Sequence, residues 1–83
     1  PRVESDTQIM VLGQAGSLDD ALRSATTGMV QWLQQDYGLT VSECAQVMGS
    51  SVHYVVANLA GRSVGLAAKL DKSVLRTLSP KSP

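Results

Sequence analysis

Residues 17–36, SLDDALRSATTGMVQWLQQD, decide how the rest of this 83-residue chain is read. Leu18, Ala21, Leu22, Ala25, Met29, Val30 and Leu33 recur three and four apart, which places them on one stripe of a 3.6-residue helix. Ser17 precedes the stripe and offers a hydroxyl to the free N–H groups of the first turn. Asp19 and Asp20 then fall at the positive end of the helix dipole. Tyr37-Gly38 follows Asp36, and the glycine can take the left-handed conformation that stops a helix. Trp32 lies beside the stripe and widens it, a position that suits either a core or a contact with a second chain. A helix with one apolar stripe needs a surface to lie against, and the flanking segments supply one.

On the N-terminal side, Pro1–Asp6 is polar and reads as a flexible lead-in. Thr7–Leu12, TQIMVL, is rich in β-branched residues and is followed by Gly13, so it reads as a strand. Met10 and Leu12 are apolar as well as Ile9 and Val11, which suggests burial on both faces. Gln14-Ala15-Gly16 is then a loop into the Ser17 cap. On the C-terminal side, Thr40-Val41-Ser42-Glu43 has the spacing of a capping box and predicts a second helix from Val41 to about Met48, ending at Gly49. Its apolar side is Val41, Cys44, Ala45, Val47 and Met48. From Ser51 the period changes to that of a strand, SVHYVVANL, followed by a Gly-bearing turn over residues 58–62. Ser63–Leu70 alternates Val64, Leu66, Ala68 and Leu70 against Gly65, Ala67 and Lys69, so the two runs form a hairpin. Asp71 can cap a last helical turn reaching Leu75 or Leu78, before a frayed tail over residues 79–83.

The order strand, helix, helix, strand, strand predicts an α+β unit. Its two helices, one long, pack on one face of a small mixed sheet that ends in a β-hairpin. Residues 1–83 form a single small unit. Hydrophobic residues are 43% of the chain, enough for a core, but with only 4% aromatics and no Phe the interior is aliphatic. A chain this short buries only about 60–65% of its unfolded surface. It is either a tight helix-on-sheet unit or a piece that shares core with a larger body.

The totals also exclude functions. Formal net charge is zero, so no global field draws the chain to nucleic acid or to an anionic membrane. No apolar run approaches the roughly 20 residues of a membrane span. One cysteine excludes an internal disulfide and suits a reducing compartment. His53 and Cys44 are the residues best suited to metal or nucleophilic chemistry, yet their spacing fits no common metal motif and no second Cys or His completes a site. Cys44 is expected to behave as a small buried hydrophobe. The loop from Gly13 to Gly16 joins strand to helix without the spacing of a phosphate-binding fingerprint. The residues therefore name no catalytic, cofactor-binding or metal position in this chain.

An alternative reading makes Thr40–Leu59 a helix-turn-helix DNA-binding module, with Ala45, Gly49 and Val55 at the small, turn and core positions. Against it, no Lys or Arg stands between Gln46 and Gly61, where phosphate neutralisation has to come from.

Taken together, IMVLG at 9–13, SLDDALRSATTGMVQWL at 17–33, YGLTVSECAQVMG at 37–49, the VHYVVANLAG strand and the AAKLDKSVL close resemble the C-terminal region of the acetamidase/formamidase family of amide hydrolases. The resemblance covers about Thr7 to Leu75 and rests on order and spacing. Cys44-Ala45 replaces the Glu-Ala often found there, and Gly49-Ser50-Ser51 replaces a Gly-Asp element. The resemblance implies part of a cytoplasmic hydrolase that cleaves the C–N bond of small amides of the formamide, acetamide or lactam type. It also implies catalytic groups, with any divalent metal such as zinc, in a longer β-rich part outside this chain. The implied partners are that larger N-terminal part or another subunit, and further copies in a homo-oligomer. The small amide substrate belongs to the whole enzyme, with no nucleic acid and no membrane.

Overall fold

A computed structural model describes residues 2–59 and 63–78. The elements, in chain order, are β1 (Arg2–Glu4), β2 (Gln8–Ala15), α1 (Leu18–Tyr37), α2 (Val41–Ser50), β3 (His53–Leu59), β4 (Ser63–Asp71) and α3 (Lys72–Leu78). The four strands form one sheet in the order β1-β2-β4-β3. This is the expected α+β architecture, with one correction: every neighbouring pair is antiparallel, so the sheet is not mixed. The reason is topological. The chain crosses from β2 through α1 and α2 to β3, and β4 then folds back into the space between β2 and β3. Strands β2 and β3 run the same way but never meet.

α1 forms as its spacing dictates. The Ser17 hydroxyl accepts from the Asp20 N–H at 3.2 Å, and Gly38 closes the helix at φ 65°, with the Leu39 N–H returning to the Leu33 carbonyl at 3.2 Å. The helix buries Ala21, Ala25, Met29, Trp32 and Leu33. Trp32 is thus core, with the Arg2 guanidinium 5.1 Å above its ring. The upper part of the stripe behaves differently, because Leu18 and Leu22 remain exposed.

The close fit of α1 on the sheet depends on Gly13. A methyl group there would stand 2.5 Å from the Ala21 carbonyl oxygen and 3.0 Å from the Ala25 amide nitrogen. Gly13 therefore does not end the strand. It lies inside β2, which continues through Ala15, and small residues on both sides let strand and helix approach. Residues 14 and 15, expected in a loop, are strand residues for the same reason.

α2 has the expected capping box: the Thr40 hydroxyl accepts from the Glu43 N–H at 3.1 Å, and the Glu43 carboxylate accepts from the Thr40 N–H at 2.8 Å. The helix runs through Gly49 to Ser50 rather than stopping at the glycine, and it buries Cys44 and Val47 against the core. Val41 and Ala45, expected on its apolar side, are exposed.

Within the expected lead-in, residues 2–4 also depart from expectation. Arg2–Glu4 is an edge strand, held by pairing to Ile9–Val11 and by a 2.7 Å ion pair between Glu4 and Lys72. In the hairpin, Asn58 and Leu59 belong to β3 rather than to the turn. The remainder of that turn, and the tail over residues 79–83, lie outside the described residues. α3 follows β4 without a break; its first N–H, from Lys72, donates to the Thr7 carbonyl at 2.8 Å.

Candidate functional site

Side chains alternate across a strand, so the pairing registers sort every strand residue onto one of two faces. On the helix face lie Arg2 and Glu4 of β1, Ile9, Val11, Gly13 and Ala15 of β2, Val64, Leu66, Ala68 and Leu70 of β4, and Tyr54 and Val56 of β3. The buried apolar strand residues Ile9, Val11, Leu66, Ala68 and Leu70 all lie there. Tyr54 is fixed by a 2.7 Å hydrogen bond between its hydroxyl and that of Thr26 on α1.

The opposite face carries no helix among the described residues. Across its middle run Leu12, Ala67 and Val55, flanked by Met10 and Val3. Val3, Leu12 and Val55 are 45%, 39% and 51% exposed. One end of this apolar band is polar: Lys69 stands between Met10 and His53, and the Gln8 amide donates to the Asp71 carboxylate at 3.0 Å. An apolar centre with a polar margin on an open sheet is the pattern of a surface that another layer covers. Met10 and Leu12 belong to this second surface. The expected burial of β2 on both faces is half met, since the described residues cover one face only.

Two of the concave regions among the described residues are lined by helix residues. A cleft of about 240 Å3 is lined by Tyr37, Lys72, Leu75 and Arg76. Burial pushes the Tyr37 phenol up from its ordinary value, the Glu4 carboxylate adds to the effect, and Lys72 opposes it. A phenol shifted that way stays protonated at neutral pH and is a poor base. The second, about 300 Å3, is lined by Asp19, Leu22, Arg23, Thr26 and Thr27 of α1. Neither holds a nucleophile next to a base.

Cys44 and His53 are not brought together. Cys44 is 2% exposed within the helix-side core, and burial, with the Glu43 carboxylate next, pushes its thiol up. His53 is exposed and falls on the open sheet face. Among the described residues, no group of three or more His, Cys, Asp or Glu is placed to hold a metal ion. No helix among them is long and apolar enough to cross a membrane. The helix-turn-helix alternative is overturned, because His53–Leu59 is a strand paired along its whole length with β4. Adjacent valines that need opposite faces of a sheet outweigh the turn glycine, which stays inside α2.

No protein-family model matches the sequence, and no curated protein matches it. A solved structure does. The crystal structure of an acetamidase from Yersinia enterocolitica superposes with a TM-score of 0.81 at 27% sequence identity, over 89% of this chain. This chain has the fold of part of an acetamidase. It spans 22% of the length of that protein, so four strands and three helices correspond to one portion of a larger body.

Proposed function

We propose that these residues are a structural segment of a hydrolase that cleaves the C–N bond of small amides, of the formamide, acetamide or lactam type, with the catalytic groups outside the segment. The observation that carries this reading is the superposition on a portion of an acetamidase. The apolar sheet face left open by these residues supports it, since a larger body supplies the missing layer.

Amide hydrolysis needs donors or a Lewis acid to stabilise the tetrahedral oxyanion, and a base to activate water. The described residues do not fit a metal, so a divalent ion such as zinc, if the enzyme uses one, is held by the remaining part. What this chain contributes is a wall: α1 and α2 close the core on one side of the sheet, and the other side faces the rest of the enzyme. A cytoplasmic location and assembly into a homo-oligomer belong to the same proposal.

The test is turnover. The purified 83-residue chain should release no ammonia from formamide or acetamide, whereas the longer polypeptide containing it should. Ammonia release by the isolated chain at a rate that survives repurification would sink the reading.

A further inference from the structure

The two edges of the sheet differ in kind. β1 is three residues long, carries Arg2 and Glu4, and ties both to the helices: Arg2 donates to the Gln35 side-chain oxygen at 3.1 Å, and Glu4 pairs with Lys72. Short, charged strands are how proteins finish an edge. β3 is seven residues long and has no Asp, Glu, Lys, Arg or Pro between His53 and Leu59. Its register against β4 is unbroken from His53↔Lys69 to Leu59↔Ser63, with no bulge to twist the edge away. Its outer row of N–H and C=O groups therefore forms a straight, uncharged template.

Val55 and Val56 identify the occupant. Being consecutive, they point to opposite faces of the sheet, and they are 51% and 52% exposed. A helix or small ligand laid on the sheet covers one of them and leaves the other in water. A neighbouring strand flanks both and satisfies the free backbone groups in the same step.

We propose that β3 is continued by a fifth strand, uncharged and apolar on both faces opposite Val55 and Val56, supplied by the part of the larger protein outside these 83 residues. The inference rests on the segment reading above. That reading favours the same polypeptide over a second copy, because this chain accounts for only 22% of the length of the acetamidase it matches.

Amide hydrogen exchange on the whole polypeptide specified by the natural coding sequence tests it, with β1 as the internal reference for an unpaired edge. The β3 amides pointing away from β4 should exchange about tenfold or more slowly than the outward amides of β1, independent of protein concentration. Val56→Lys should remove that protection while leaving β2 and β4 protected; if the variant fails to fold, the parent measurement decides alone. Outward β3 amides that exchange as fast as those of β1 overturn the fifth strand and leave the segment reading intact. Protection that fades on dilution assigns the strand to a second copy and also overturns the proposal. A coding sequence that consists of these 83 residues alone removes the segment reading itself.

Discussion

Replacing Gly13 with alanine is the sharpest test of how this fold is held together. The added methyl would sit 2.5 Å from the Ala21 carbonyl oxygen, whereas ordinary contact begins at 3.4 Å, so α1 must retreat by about 0.9 Å. The obstacle is helix backbone, with the Ala25 amide nitrogen and methyl also at 3.0 and 3.1 Å, so no rotamer change relieves it. Overpacking of this kind costs about 1–3 kcal/mol, and a backbone clash belongs at the upper end. Alanine recovers about 0.5–1 kcal/mol through its smaller loss of backbone freedom in a strand. The net loss is about 2 kcal/mol, which for a domain of this size lowers Tm by about 8–16 °C. Thermal unfolding followed by circular dichroism reads this directly. Gly16→Ala is the matched control, because its methyl would meet nothing within 4 Å, and its Tm should hold or rise slightly. A Gly13→Ala protein that melts within about 2 °C of the parent would show that α1 does not rest on Gly13 and would refute the packing argument.

Two further outcomes follow from local chemistry. Thr40→Ala removes the hydroxyl that accepts from Glu43 at 3.1 Å and should lower stability by about 0.5–2 kcal/mol in urea unfolding; an unchanged midpoint would mean the capping box contributes nothing in solution. Cys44 and Tyr37 both have their proton affinities raised by burial in the folded state. The folded state therefore holds those protons more tightly than the unfolded chain, so the stabilisation is complete below the unfolded values and is lost as pH climbs through the folded ones. Unfolding midpoints should be flat through neutral pH and fall above the ordinary thiol value of 9.0, and Cys44 should react with a thiol reagent only as fast as the chain unfolds. A stability that rises into alkali, or instant labelling of native protein, would contradict this.

The parts of the fold written into local chemistry were legible in the residues. Ser17, Gly38 and the Thr40–Glu43 box each act through atoms within a few positions of themselves, and all three helix ends lie where those residues place them. The alternation of Leu66, Ala68 and Leu70 likewise found the buried side of β4. Misreadings arose where a distant element determined the outcome. Gly13 looks like a strand terminator until Ala21 and Ala25 are seen above it. Arg2–Glu4 looks like a lead-in because it is short and polar; it is a strand through its pairing with Ile9–Val11, and its side chains find Trp32, Gln35 and Lys72, each about 30 or more positions away. Val41 and Ala45 fit the apolar period of α2, yet that helix meets the core along a narrower line through Cys44 and Val47. No functional site was legible in the residues, because Cys44 and His53 stand at no spacing that brings a second ligand or a base to either. The open sheet face was hidden because Met10 and Leu12 read as core whichever body covers them.

The arrangement of burial explains why such a unit would not be left uncovered. The buried apolar residues, from Ile9 to Leu75, lie on the helix side of one sheet. An 83-residue chain has about 4–12 kcal/mol of total stability to draw on. Fully burying a valine or leucine is worth about 1.5–3 kcal/mol, so covering Val3, Leu12 and Val55, each roughly half exposed, would add about 2–4 kcal/mol. That is a sizeable share of the net stability. A second layer over this face would therefore do more than hide an aggregation-prone surface: it would couple the folding of the segment to the body that supplied the layer. Under the function proposed above, a wall stabilised in this way would sit naturally at the side of a catalytic domain, where its own residues need no reactive chemistry.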